Sequence, residues 1–448
     1  MMPWHTEGQP EQSLKPQLMS SKRFYGWPLV GIGFLIYGLG IAPAYYSWGF
    51  FAPEVIAELG ISRQQVGTVF GALTVTFALT SFLSAAVIHY FGLRMTVTVG
   101  ALICALSWFL VGRAESLTQI YLCFSLLGGI GIGLSTQLPA QTLAIYWFDK
   151  YRARATAVIL LGAAVVGALV TPIDAMILEH ADWRTAWVYI SATSLLVAII
   201  AIVFIRNRPE DIGQHPDGRL LPPEQASSRA LGAEASGREN ADTNKKSFTL
   251  VQAVTAPQFV IVAFADIANT IPWRVLTVHG RLHLEDLGFA PTLAAAVLGV
   301  RVGMSGVGRL SGALSDFIAP QRVMALALVV SALGVGGLRL ADTPTLAYAC
   351  VVLLGIGYGA AFTSAPVVLA SFFGREAFAT TSGLRIAITG VVGFIGPSWA
   401  GAVADSTGSY NSTLVAMTIL CMVGAVMIFR CRAPDGLRGD RGEIEGHR

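Results

Sequence analysis

Residues 185–205 read TAWVYISATSLLVAIIAIVFI, a run without one charged side chain. A helix rises about 1.5 Å per residue, so about 20 such residues match the ~30 Å hydrocarbon core of a bilayer. Just beyond it, about 207–250, the chain turns hydrophilic (EQASSRALGAEASGRENADTNKK), a composition of Ala, Ser, Gly and charge that suits a mobile linker. Working outward, comparable apolar stretches fall at about 27–50, 65–90, 95–112, 118–146 and 154–178 before the linker. After it they fall at about 257–280, 291–315, 321–339, 345–373, 378–404 and 411–430. The hydrophilic segment therefore divides twelve spans six and six. Composition agrees. Only 13% of the 448 residues are charged and 54% are apolar, against about 25% charged in a soluble domain. The 48 glycines suit helices packed closely in lipid.

Basic residues set an orientation. Lys15, Lys22 and Arg23 precede the first span. Lys150, Arg152 and Arg154 follow the fourth, a cluster from Arg206 to Lys246 follows the sixth, and Arg430, Arg432, Arg438 and Arg441 follow the twelfth. The opposite loops hold only Arg63, Arg113, Arg184, Arg281 and Arg339. The positive-inside rule then places both termini in the cytoplasm. The net charge of +3 reflects this asymmetry and indicates no nucleic-acid partner. Cys104, Cys123, Cys350 and Cys421 lie in apolar spans, and Cys431 sits at a membrane edge. None has metal-ligand spacing, so buried free thiols are expected. The first 20 residues lack an apolar core and read as a tail, not a cleaved signal.

The two halves resemble each other. Pro139 matches Pro366 and Gly128 matches Gly355 at an offset of 227; Trp147-Phe148 matches Phe372-Phe373, and Pro172 matches Pro397, at 225. One two-residue gap reconciles the set. Parallel halves around a midplane site are a recurring carrier plan. The expected organisation is a tail over 1–24, a six-helix half over 25–206, a linker over 207–252, a second half over 253–431 and a tail over 432–448.

The loop after the eighth span reads Gly308-Arg309-Leu310-Ser311-Gly312-Ala313-Leu314-Ser315-Asp316. It resembles the second-half loop signature of the major facilitator superfamily, in which Asp316, with Gly312, would hold the inward gate by accepting hydrogen bonds from a helix N-terminus. The first-half copy keeps Gly92 and Arg94 but has His89 where an aspartate is expected, which leaves the usual first-half gate contact without its acid. Further segments resemble the monocarboxylate and oxalate/formate branch: Tyr25-Gly26-Trp27, Tyr46-Ser47-Trp48-Gly49-Phe50-Phe51-Ala52-Pro53, Arg208-Pro209-Glu210-Asp211-Ile212-Gly213, Asp286-Leu287-Gly288 and Gly396-Pro397 with Asp405-Ser406-Thr407-Gly408-Ser409-Tyr410. The resemblance spans about 24–430.

Charges inside a bilayer cost at least about 2.5–3.5 kcal/mol each and need a reason. Asp174, Asp266, Arg274, Arg301, Arg309 and Arg385 fall within spans. Four cations against two anions point to an anion that arrives and leaves. The resemblance makes Arg309 the substrate-binding arginine of the eighth helix. A guanidinium fork suits a carboxylate, though clamping helix ends is the other reading. Arg301 lies eight residues earlier, about 12 Å higher and roughly 80° round the helix, so both could face one cavity. Oxalate/formate carriers place a lysine at the position of Thr389; Arg385, one turn earlier, could replace it or snorkel to water. The lysine and aspartate of the animal-type carriers are replaced by Tyr46 and Ser305, so proton-coupled lactate transport is not carried over. Tyr45 and Tyr46 could donate to an anion or simply pack. Gln137, Gln141, Thr363 and Ser364 could complete a polar cavity or bond between helices. Asp266 and Arg274, eight residues apart, are too far to pair along one helix, and either could pair across the bundle; Asp266 and His279 are the coupling candidates, His279 being expected at a helix end. Asp174 is expected near the outer end of its span, solvated. Gly129-Ile130-Gly131-Ile132-Gly133 lacks a preceding strand and reads as helix packing, not a nucleotide loop.

These readings converge on an all-α integral membrane protein of twelve transmembrane helices in two pseudo-symmetric halves. The expected function is secondary active transport of a small mono- or dicarboxylate by alternating access, as symporter or anion exchanger. It would work in a bacterial-type inner membrane as a monomer, with lipid and the substrate as its partners and no cofactor, metal or nucleic acid. An exporter of a drug-like or amphipathic metabolite is the close alternative, and a transporter-shaped sensor a more distant one. No nucleophile–base pair marks an enzyme.

Overall fold

The computed structural model describes residues 24–218, 255–311 and 317–433, apart from the side chains at 153 and 374–380. Gly312 and Asp316 of the loop signature lie outside the described residues, as do most of the hydrophilic linker and both distal tails. The elements are helices α1 (Gly26–Phe50), α2 (Ala52–Leu59), α3 (Arg63–Val111), α4 (Leu117–Trp147), α5 (Arg152–Leu178) and α6 (Trp183–Phe204) in the first half. The second half holds α7 (Pro257–Asp286), α8 (Pro291–Leu310), α9 (Pro320–Leu338), α10 (Pro344–Thr407) and α11 (Asn411–Arg430).

Two of these helices cross twice. The 49 residues of α3 would span about 73 Å if straight, more than two bilayer cores. Gly92, at φ 78° and ψ 161°, breaks it where the sequence has its loop remnant. Asn207, just past α6, accepts from Arg94 N at 2.9 Å and so caps the second arm of α3. His89 is exposed and stands edge to face with Tyr90. α10 likewise holds two spans, Pro344–Phe373 and Thr381–Thr407, giving twelve crossings in two sets of six.

Starts are specified locally. Ser62 and Gln65 form a capping box on α3; Asp182 and Thr343 cap α6 and α10; prolines open α7, α8, α9 and α10. The expected spans hold to within a few residues, with one consequential difference. α7 runs to Asp286, six residues past its apolar stretch, so His279 lies inside the helix. Residues 207–218, the described start of the hydrophilic segment, fold back on the bundle, where Asp217 accepts from Lys150 N at 2.7 Å and Gln214 from Tyr25 N at 2.9 Å.

The repeat has a structural counterpart. Trp147 and Phe148 close α4, and Phe372 and Phe373 occupy the matching end of the first α10 span, all buried. A Cβ on Gly128 would strike Trp108, and one on Gly355 the backbone of Arg301. The halves meet along α1–α7, α3–α10 and α5–α8. The end where residues 24 and 433 emerge is here the terminal end, and the other the far end.

Candidate functional site

Between the halves, Ala42, Tyr46, Val170, Trp273 and Val302 form a small apolar cluster contributed by α1, α5, α7 and α8, with Tyr45 and Tyr358 against it. The guanidinium of Arg301, 1% exposed, lies 4.1 Å over the Trp273 ring. It donates to Trp273 O at 3.2 Å and Thr277 Oγ1 at 3.0 Å. Tyr358 stacks on Trp273 with ring centroids 3.8 Å apart and planes 9° apart. Phe362 stacks on Tyr358 at 5.9 Å, and Arg309 sits 5.2 Å over Phe362 while donating to Leu160 O of α5. Two α8 arginines thus end one ladder of three aromatic rings drawn from α7 and α10. Trp273, Tyr358 and Phe362 escape a sequence reading because aromatic residues in apolar spans look like core.

Arg274, which the sequence offered as a residue that could pair across the bundle, joins this group instead. It reaches from α7 to Thr389 O at 3.2 Å, Gly390 O at 3.3 Å and, across the seam, Thr74 Oγ1 at 3.4 Å. A Cβ on Gly393 would overlap its Nη1, so glycine there lets the guanidinium keep this position. The three cations act on one set of phenols: Tyr45 interacts with Arg274 and Arg301, Tyr46 with Arg301 and Arg309, and Tyr358 with Arg309 and Arg274. Among the described residues, none of the three has a carboxylate within 4 Å. Nε of Arg301 and of Arg309 are buried without a hydrogen-bond partner among the described residues.

Other candidates sit elsewhere. Arg385 is buried and paired with Asp266 across the second half, which answers the snorkelling alternative for Arg385 and supplies the cross-bundle partner for Asp266. Gln137 and Gln141 are half-buried after the break in α4 at Thr136 (φ −115°, ψ −97°). Thr363 and Ser364 bond within their own helix, to Gly359 O and Ala360 O, not between helices. Asp174 is not solvated: it is 3% exposed, and Ser47 Oγ donates to it at 2.6 Å, because α5 turns it inward onto α1. His279 is 1% exposed, with Nε2 2.9 Å from Pro397 O and Nδ1 3.1 Å from the Tyr410 hydroxyl.

The far end is closed by charge. Arg281 of α7 donates to both Glu54 oxygens at 2.7 and 2.9 Å, and Arg63 of α3 donates to both Asp286 oxygens at 2.5 and 2.9 Å. Asp405 of α10 caps α3, accepting from Arg63 N and Gln64 N at 3.1 and 2.9 Å. Among the described residues, every ion pair between the halves lies here. Beside it, Trp183 Nε1 and Arg184 hold the exposed Glu58 carboxyl below the usual glutamate range by hydrogen bonding. Toward the terminal end α4 packs on α1, α3 and α5 of its own half.

Known proteins agree with this architecture. The chain is 27% identical to cattle (Bos taurus) monocarboxylate transporter 13 over 374 residues, covering 83% of this chain and 78% of that one. It is 23% identical to mouse (Mus musculus) monocarboxylate transporter 4, covering 87% and 80%, and 21% identical to the Escherichia coli K12 MFS-type transporter YhjX, covering 76% and 79%. A bacterial homolog of the human lysosomal transporter Spinster superposes with a TM-score of 0.69 over 91% of this chain and 97% of that one; at 17% identity this speaks for the fold alone. The relatives fit the monocarboxylate branch, and the chain is a transporter, not an enzyme. The family model for the Major Facilitator Superfamily matches residues 29–311 and 259–446, nearly the whole chain, which therefore belongs to that superfamily.

Proposed function

We propose that this protein is a secondary transporter of a small organic anion, a mono- or dicarboxylate, moved by alternating access as a symporter or exchanger. The observation that carries the reading is the group of Arg274, Arg301 and Arg309 at the seam, without a carboxylate among the described residues. A low-dielectric interior that holds three cations stabilises an incoming anion. The phenols of Tyr45, Tyr46 and Tyr358 add donors, and the aromatic ladder suits an anion with a small apolar body. The monocarboxylate names of the relatives support the same class. We place both termini in the cytoplasm of an inner membrane, on the basic residues at the terminal end, with the chain working as a monomer. The closed far end then faces outward.

The test is uptake of labelled pyruvate, lactate and oxalate by reconstituted protein. Flux of at least one is expected, with Arg309→Gln and Arg301→Gln each raising KM at least about tenfold, equivalent to about 1.4 kcal/mol. No carboxylate flux by folded protein would overturn the reading. Flux with unchanged KM in both variants would leave the substrate class and remove these arginines from the site.

A further inference from the structure

The mechanism above makes no use of Asp174. We propose that Asp174 is a proton-binding site that alternates between the two faces of the membrane and couples anion movement to protons. The inference rests on the anion reading for its cargo and on the geometry of Asp174 for the proton.

Asp174 lies one turn before the far end of α5, after Pro172. It is buried, Ser47 Oγ is its hydrogen-bond donor, and among the described residues no cation lies within 4 Å. This sets it apart from Asp266, which has Arg385. Among the described residues, the one cation that acts on it is Arg281, which is already engaged by two carboxylates. α1 presents Ser47, while Tyr45 and Tyr46 pack on Phe70 and Trp273. α7 presents Arg281, whose guanidinium is engaged by Glu54, Glu285 and Phe50 O. The far half of α8, 291–300, carries no ionisable residue. On α6, Arg184 is engaged by Glu58 and Tyr189 is exposed. Beyond Asp174 on its own chain, Glu179 and His180 are exposed. Burying an unpaired carboxylate costs several kcal/mol more than burying the acid, so such a group is held with its proton.

Position supplies the coupling. Asp174 sits at the joint between the halves: Thr171, one turn earlier on α5, donates to Ala295 O of α8 at 2.9 Å, and the α1–α7 contact at Gly49 and Thr277 closes beside Ser47. Parting this joint at the far end wets the acid from that side. Closing it, as here, seals the acid from the far side, while Ser47 adjoins Tyr46 in the arginine-lined seam. One proton added to the aspartate oxygen as one monocarboxylate binds the arginines makes the moving load neutral. The same proton is lost to the other aqueous side when the anion leaves.

The test uses reconstituted full-length protein. Infrared spectra at neutral pH should contain a protonated-carboxyl C=O band that Asp174→Asn removes and Asp266→Asn leaves in place. In the same vesicles labelled pyruvate is the probe. Asp174→Asn, an isostere of the neutral acid, should lose uptake driven by an inward proton gradient while keeping pyruvate–pyruvate exchange. If Asp174→Asn does not fold, Ser47→Ala keeps the acid and must shift the same band. No such band in the wild type, or gradient-driven uptake by Asp174→Asn equal to wild type, overturns the proposal. A wild type that shows the band but moves no carboxylate keeps the proton site and overturns the anion reading instead.

Discussion

Arg281 of α7 grips Glu54 of α2 through two parallel hydrogen bonds, of 2.7 and 2.9 Å, with the arginine side chain 4% exposed and the glutamate 29%. The bidentate fork joins the two halves at the far end and is the most buried of the ion pairs that do so. Breaking a buried pair from one side leaves a charge without compensation, at a cost of about 3–5 kcal/mol. Glu285 remains on Arg281 Nε at 2.7 Å and reduces that cost.

Glu54→Ala should therefore favour the conformation in which the far end is open. Spin labels at the exposed Glu115 and Asp342, in loops of opposite halves, read this directly. The expected result is a longer-distance population that grows at least about tenfold, because each 1.4 kcal/mol shifts such an equilibrium tenfold. An unchanged distance distribution would show that helix packing, without this pair, keeps the far end shut.

Gly393 offers a test of Arg274 that leaves the arginine in place. An added methyl would occupy the space of Nη1, which is the far end of a flexible side chain and can move aside. Gly393→Ala should thus raise KM several-fold while thermal stability changes little, because helical alanine offsets part of the crowding by about 0.5–1 kcal/mol. Gly383→Ala in the same helix, where a Cβ meets nothing within 4 Å, is the control and should transport normally. Equal KM in both variants would mean that the position of Arg274 is immaterial to substrate.

What the sequence disclosed and what it withheld divide along a physical line. Crossing a bilayer is a local property, so apolar runs located the spans, and the matched Pro139/Pro366 and Trp147/Phe372 located the repeat. The imbalance of four intramembrane arginines against two aspartates was also countable. Which charges cancel is a tertiary fact: Asp266 and Arg385 lie 119 residues apart, and nothing in either segment names the other. Asp174 was misplaced for a related reason, since a span's rotation is set by its neighbours and not by its own hydropathy. Asn207 capping the turn at Gly92 was hidden in the same way, across a separation of 113 residues from Arg94.

The Asp266–Arg385 pair should behave as a structural unit. Asp266→Leu or Arg385→Leu alone strands a buried charge and should destabilise the protein by about 3–5 kcal/mol. The double variant removes both charges and should recover most of that loss, a coupling of about 1–3 kcal/mol. Thermal unfolding in detergent gives the stabilities, and uptake measured on the same samples separates roles. If the double variant is stable yet inactive, Arg385 acts on substrate as well as on Asp266.

The aromatic ladder makes the last prediction. Trp273 carries Arg301 on its ring at 4.1 Å and Tyr358 at 3.8 Å, so it fixes a cation that has no carboxylate to fix it. Cation–π contact with a desolvated arginine contributes about 2 kcal/mol. Trp273→Ala removes that contact and opens a cavity, and should cost about 3–5 kcal/mol in stability. Trp273→Phe keeps a ring for Arg301 and should restore transport largely. The discriminating quantity is the split between KM and turnover. Displacement of Arg301 raises KM in Trp273→Ala and spares it in Trp273→Phe, whereas general loosening of the bundle lowers the active fraction without changing KM. Equal KM in the two variants would mean that the ladder stabilises the second half and leaves the anion site to the arginines alone.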